Sequence, residues 1–144
     1  MPIIPGAKKV AAGGLFMGER KIARGLYNFA TDGGGVGSIT LRGDQIPAGA
    51  IVVDALINVE TAVTSGGSAT LAIRLEGAGD IAAAAAVSGA PWSTPGPKRG
   101  DFTATSTPIR TTAARNVVAT VATAPLTAGK FSVLVEYYEL ANQT

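Results

Sequence analysis

The chain contains no histidine and no cysteine. Without histidine it lacks the commonest general base, the usual catalytic triads and most transition-metal ligand sets. Without cysteine there is no disulfide framework, no thiolate nucleophile and no zinc-thiolate site. Charge is also scarce: Asp, Glu, Lys and Arg make up 15% of the 144 residues, against roughly 25% in an ordinary soluble domain. Ala, Gly, Thr and Ser fill surface positions that Lys and Glu would otherwise hold. A weakly charged β protein is prone to edge-to-edge association unless its edges and faces are covered. Coverage by further copies is the simple solution, so the composition points to an oligomer or a component of a larger assembly. No apolar run approaches the roughly 20 residues of a membrane-spanning helix. The start, Met1-Pro2-Ile3-Ile4-Pro5-Gly6, lacks the apolar stretch of a secretory signal, so cytoplasmic synthesis is expected.

The net charge of +2 is spread over small clusters such as Lys8-Lys9, Arg20-Lys21 and Lys98-Arg99. Nucleic-acid modules concentrate their basic residues. Scattered pairs fit solvated surface or assembly contacts instead, and no nucleic-acid partner is expected.

What is present is β pattern. Residues 1–20 are broken by Pro2, Pro5, Gly6, Gly13, Gly14 and Gly18, and read as an extended N-terminal arm. Residues 21–144 read as a single β-sandwich domain, long enough for its own core. Arg24–Phe29 and Val36–Leu41 are short strands around the turn Thr31–Gly35. A turn at Pro47-Ala48-Gly49 precedes the clearest signal. Val53, Ala55, Ile57 and Val59 alternate with Asp54, Asn58 and Glu60. After Thr64–Ser68, Ala69, Leu71, Ile73 and Leu75 alternate with polar or small residues. Period-two alternation on both sides of Gly66-Gly67 predicts a hairpin from Ile51 to Glu76. A second hairpin is expected from Asn116–Thr123 and Lys130–Leu140. In its last strand, Phe131, Val133, Val135 and Tyr137 face one way, with Ser132, Leu134, Glu136 and Tyr138 opposite. Apolar residues on both faces suggest one face in a core and the other against a partner. The alanine run 81–87 after Asp80, a good N-cap, predicts one short helix over about 80–87, with a packed strand as the alternative. Phe102–Thr112 is Thr-rich and broken by Pro108, which allows short edge strands at most. The expectation is an all-β, jelly-roll-like sandwich.

Each candidate for chemistry has a plainer explanation. Asp54, Glu60 and Glu76 on the polar face of the first hairpin suit solvent exposure or pairing with Arg74 better than hydrolysis, which needs two opposed carboxylates and aromatic sugar platforms. Asp32-Gly33-Gly34-Gly35-Val36-Gly37 lacks the Gly-Lys-Ser/Thr ending of a phosphate loop and has Ser38 where a dinucleotide fingerprint needs glycine. It reads as a turn. Arg42-Gly43-Asp44 spells an adhesion tripeptide, but in a loop before Pro47 its Gly and Asp are ordinary turn residues. No Asp-x-Asp run offers a calcium site within one chain. Trp92, between Pro91 and Pro95, is a ligand platform or, more simply, a plug over one end of the sandwich or an interface anchor. No catalytic residue, metal ligand or cofactor site is assigned.

Several stretches carry a resemblance. Ile46-Pro47-Ala48-Gly49-Ala50-Ile51-Val52-Val53-Asp54-Ala55, Thr64-Ser65-Gly66-Gly67-Ser68-Ala69-Thr70-Leu71, Ala78-Gly79-Asp80-Ile81 and Thr127-Ala128-Gly129-Lys130-Phe131 resemble a family of small structural proteins of tailed bacteriophages, similar to head decoration (cement) proteins. It spans 43–92 and 107–137, leaving the first 20 residues and the loop 93–106 outside. These are turn and strand patterns and carry no active site. The resemblance implies a homotrimeric β-sandwich on the capsid surface, bound to the major capsid protein, without enzymatic activity, cofactor or membrane. The alternative is a minor tail or fibre-associated protein that binds the host. A carboxylate-based glycan hydrolase is the remaining rival.

Overall fold

Gly43 is where one strand bends from one half of the molecule into the other, and its backbone explains how. Its φ is +134°, and a Cβ there would lie 2.2 Å from the Arg24 carbonyl oxygen, so glycine alone fits. The structure is a computed structural model and describes residues 20–100 and 108–139. Its elements are β1 (Arg20–Asn28), a single helical turn α1 (Phe29–Asp32), β2 (Gly37–Ile46), β3 (Ala50–Ser65), β4 (Thr70–Arg74), β5 (Ala82–Ala86), β6 (Gly96–Arg99), β7 (Ile109–Arg110), β8 (Arg115–Ala122) and β9 (Leu126–Glu139). All pairings are antiparallel, in the order β5-β4-β8-β2-β1-β9-β3-β6, with β7 also on β3. The sheet curls at β2, which pairs with β8 along most of its length and touches β1 only at Gly25↔Gly43 and Leu26↔Arg42. One half is thus β5-β4-β8-β2 and the other β1-β9-β3-β6, a jelly-roll-like order.

The two halves close over one core. Ile57, Val59, Phe131, Val133 and Val135 face Leu71, Ile73, Val117, Ala119 and Val121 across it, all buried in a single cluster. In β3 the inward set changes parity, from Ala50 and Val52 to Ala55, Ile57 and Val59. A bulge accounts for it: Val52 pairs with Tyr137 and Asp54 with Glu136, so Val53 is the extra residue and does not share the face of Ala55.

Both expected hairpins are arches. β3 pairs with β9, β6 and β7, whereas β4 pairs with β8 and β5; β8 pairs with β2 and β4, whereas β9 pairs with β1 and β3. Residues 66–69 and 123–125 therefore carry the chain across the sandwich. The inward residues of each strand are those the alternation selects, but they face each other over the core. The arches lie side by side: Ser65 Oγ donates to Pro125 O at 2.7 Å, and Thr64 and Thr127 share a hydroxyl hydrogen bond at 2.8 Å.

The short helix expected over about 80–87 is strand β5, paired with β4. Helix propensity in alanine yields to tertiary pairing here. Asp80 does cap, but it caps a β-turn: its carboxylate accepts from the backbone N–H groups of Leu75, Glu76 and Gly77 at 2.7, 2.9 and 2.7 Å. The single helical turn α1 takes Phe29 from the end of the expected strand and Thr31 and Asp32 from the expected turn, and is capped by Asn28 Oδ1 accepting from Ala30 N at 3.1 Å. The arm expected over 1–20 lies outside the described residues except Arg20, which opens β1 and pairs with Tyr138.

Candidate interaction surfaces

The polar groups that suggested chemistry hold the fold together. Glu76 does not meet Arg74. It receives Arg115 through two contacts, at 2.8 and 3.2 Å, and the hydroxyl of Thr112 at 2.6 Å. These donors, Arg115 first, hold its carboxyl down to about 2. Asp54 pairs with Arg99, and Glu60 with Lys130 at 3.3 Å. Each of these three carboxylates thus has its own cationic partner.

In the adhesion-like tripeptide, Arg42 grips Asp32 at 2.8 and 3.0 Å, which lowers the pKa of that carboxyl. Asp44 accepts from Arg24 N at 2.9 Å. The tripeptide lies within β2 and serves its bend. The glycine loop after Asp32 packs closely as well: a Cβ on Gly34 would lie 2.7 Å from Leu126 Cβ, and Gly34 O accepts from Leu126 N at 2.8 Å. It is a structural turn. Nearby, Tyr27 donates to Gly33 O at 2.7 Å; burial, then the Asp32 charge, pushes its phenol up to about 12.

Trp92 is fully buried, its ring 5.0 Å from Phe131, which stacks on Tyr27 at 4.9 Å. It plugs the end of the sandwich where the arches lie, with Trp92 O accepting from Val63 N at 3.0 Å. The opposite end is closed by a residue the sequence did not single out. Thr111 is the one buried polar side chain among the described residues. Its Oγ1 donates to Pro47 O at 2.7 Å and accepts from Ala50 N at 2.9 Å. Nothing distinguishes Thr111 from its Thr-rich neighbours in the sequence, because its role depends on a loop more than sixty residues away. Among the described residues, no group of three or more acidic side chains could hold a metal ion.

The outward surfaces differ strongly. Over β4, β8 and β2 the outer residues are small and mostly uncharged: Thr70 beside Ala122, Ala72 beside Thr120 and Ser38, and Val118 between Arg74 and Thr40. The other half carries larger groups in cross-strand rows. One row runs Arg20, Tyr138, Ile51, Arg110. The next runs Ile22, Glu136, Asp54. The third runs Arg24, Leu134, Leu56, Arg99. Leu56, Leu134, Ile51 and Tyr138 are half-buried, and Ile22 is 56% exposed. Arg20 reaches inward to Glu136 at 3.0 Å and stacks over Tyr138.

No protein-family profile matches the chain, and no curated protein matches it in sequence. Three solved structures share its fold over nearly its whole length. A chain of the acid-stable capsid of Helicobacter pylori bacteriophage KHP30 is 16% identical with a TM-score of 0.59, covering 86% of this chain and 90% of that one. A chain of the cyanophage Pam1 capsid asymmetric unit is 22% identical, TM-score 0.60, covering 92% and 93%. A chain of the capsid of Ralstonia phage GP4 is 21% identical, TM-score 0.61, covering 94% and 93%. At these identities the likeness defines a shared fold: the jelly-roll-like sandwich described above is one that occurs in phage capsid assemblies.

Proposed function

We propose that this protein is a non-enzymatic structural component of a phage virion that decorates and stabilises the capsid, binding the major capsid protein lattice as a homotrimer on the outer surface. The observation that carries this reading is the likeness, over 86–94% of the chain, to chains of three phage capsids. It is supported by polar side chains that are spent on ion pairs and turns. Decoration stabilises a shell by linkage, because the protein binds the assembled lattice and not the free subunit, an effect repeated at every site. In this reading the arm over 1–20 reaches neighbouring subunits.

The test uses the full chain and capsids that lack it. Sedimentation of the two together should give saturable binding and a capsid that opens at higher temperature, and the free protein should have the mass of three copies. Binding to purified tails or host cells with none to capsids would establish the tail-protein alternative instead.

A further inference from the structure

We infer that the outer face of β1-β9-β3-β6 is the docking face for a carboxylate-bearing protein surface, and that it is not a self-association face. The inference rests on the capsid-binding reading and assigns the surface that performs it. The rim of the face is basic on both sides: Arg20 and Arg24 stand on β1, Arg99 and Arg110 on β6 and β7. Between them lies an apolar centre of Leu134, Leu56, Ile51 and Tyr138, with Ile22 exposed beside it. Apolar centres with aromatic and Arg side chains are the composition of protein interfaces. The opposite half, with its small and mostly uncharged side chains, lacks such a centre.

The register disfavours a second copy in either symmetric face-to-face stacking. Two copies stacked face to face about a two-fold axis along the strands, between β9 and β3, bring Arg24 onto Arg99, Arg20 onto Arg110 and Glu136 onto Asp54. A two-fold across the strands through the middle row sets Glu136 on its own counterpart and Arg24 on Arg20. Either arrangement opposes like charges, which acts against self-pairing. Within the face, Glu136 and Asp54 are already taken by Arg20 and Arg99. Arg24, whose side chain is 62% exposed, has only a loose contact to Asp44 at 3.9 Å, and Arg110 forms no ion pair among the described residues. Arg110, without an ion pair among the described residues, and Arg24, only loosely held, are the most available guanidiniums on the face, and carboxylates match them in charge and fork geometry.

The experiment compares the full chain with the double variant Arg24→Glu/Arg110→Glu and with Arg74→Glu on the opposite half, on undecorated capsids. Circular dichroism and the mass in solution are recorded for each. The double variant should keep its fold and mass yet bind at least about tenfold more weakly, the scale of losing charged contacts at an interface. Arg74→Glu should bind as the parent does. Parent binding should weaken as salt rises from about 50 to about 300 mM, since exposed pairs are screened. Unchanged binding by a folded double variant overturns the assignment while leaving the capsid reading intact. A change of mass in that variant overturns it in favour of a self-interface, and loss of binding in Arg74→Glu alone moves the site to the other half. Failure of the parent to bind capsids defeats the functional reading itself. Retention of a DNA duplex by the parent, lost in the double variant, would replace protein with nucleic acid as the partner. Should the double variant unfold, Arg24→Gln and Arg110→Gln singly carry the same comparison.

Discussion

At the scale of single residues, the ionisable and buried polar side chains act as fasteners, and their removal has calculable consequences. Glu76 ties the turn after β4 to Thr112 and Arg115. Its folded pKa of about 2 lies below its ordinary 4.5, so its contribution to stability is complete above the ordinary value and is lost as pH falls towards 2. Replacing it with Gln should leave a protein whose urea midpoint changes less than the parent's between about pH 5.5 and about pH 3. An equal acid response in both would refute the assignment. Thr111→Val removes both hydroxyl bonds and orphans Ala50 N and Pro47 O. The expected loss is about 1–3 kcal/mol in equilibrium denaturation. Trp92 is the sole tryptophan and is fully buried, so its fluorescence in the folded state should be nearly insensitive to acrylamide. Ready quenching would mean the plug is open.

At the scale of elements, strands were legible and partners were not. The inward residues of β4, β8 and β9 are those the alternation picks out, since one buried face imposes period two whatever the neighbour. A Gly-rich turn marks where the chain reverses; it does not say whether reversal happens within a sheet or across a core. Hence Thr64–Ser68 and Leu126–Gly129 read as hairpin turns, whereas the chain crosses the core at 66–69 and 123–125 and Leu126–Gly129 already belongs to β9. The alanines of β5 misled for a related reason: local propensity favours a helix, and pairing with β4 decides otherwise. Of the surfaces, the dual apolar character of β9 was visible, but the basic rim was not, because Arg20, Arg24, Arg99 and Arg110 converge only through register. The arches themselves can be tested. A Cβ on Gly67 would stand 2.9 Å from Ala124 Cβ. Gly67→Ala should destabilise, and adding Ala124→Gly should restore part of the loss, with a coupling of about 0.5–3 kcal/mol in a double-mutant cycle. Strict additivity would argue against the side-by-side packing.

At the scale of the whole molecule, the sheet edges are blunted. β6 carries Pro97 and Lys98, β7 follows Pro108, and β5 is bulged between Ala82 and Ala85 opposite Ile73 and Leu71. Proline, lysine and bulges all discourage edge-to-edge pairing. Assembly is thereby steered towards faces and ends, in keeping with the docking surface inferred above. A single cluster spans both halves, so unfolding should be one cooperative event. Denaturation followed by Trp92 fluorescence and by far-ultraviolet dichroism should give coincident curves. Separate transitions would show that the halves are independent.

The pairing of β1 with β9 has a further consequence, in time. Arg20 pairs with Tyr138 and Asn28 with Lys130, so the first described strand is completed by the last, and β9 is also the strand that joins β1 to β3. Until β9 is in place, β1 and β3 have no common neighbour in the sheet. Such distant pairing makes folding slow and leaves apolar strands open to collision until β9 docks. Closure of this half of the sandwich therefore waits on a single strand, β9, whose docking completes β1 and β3 together.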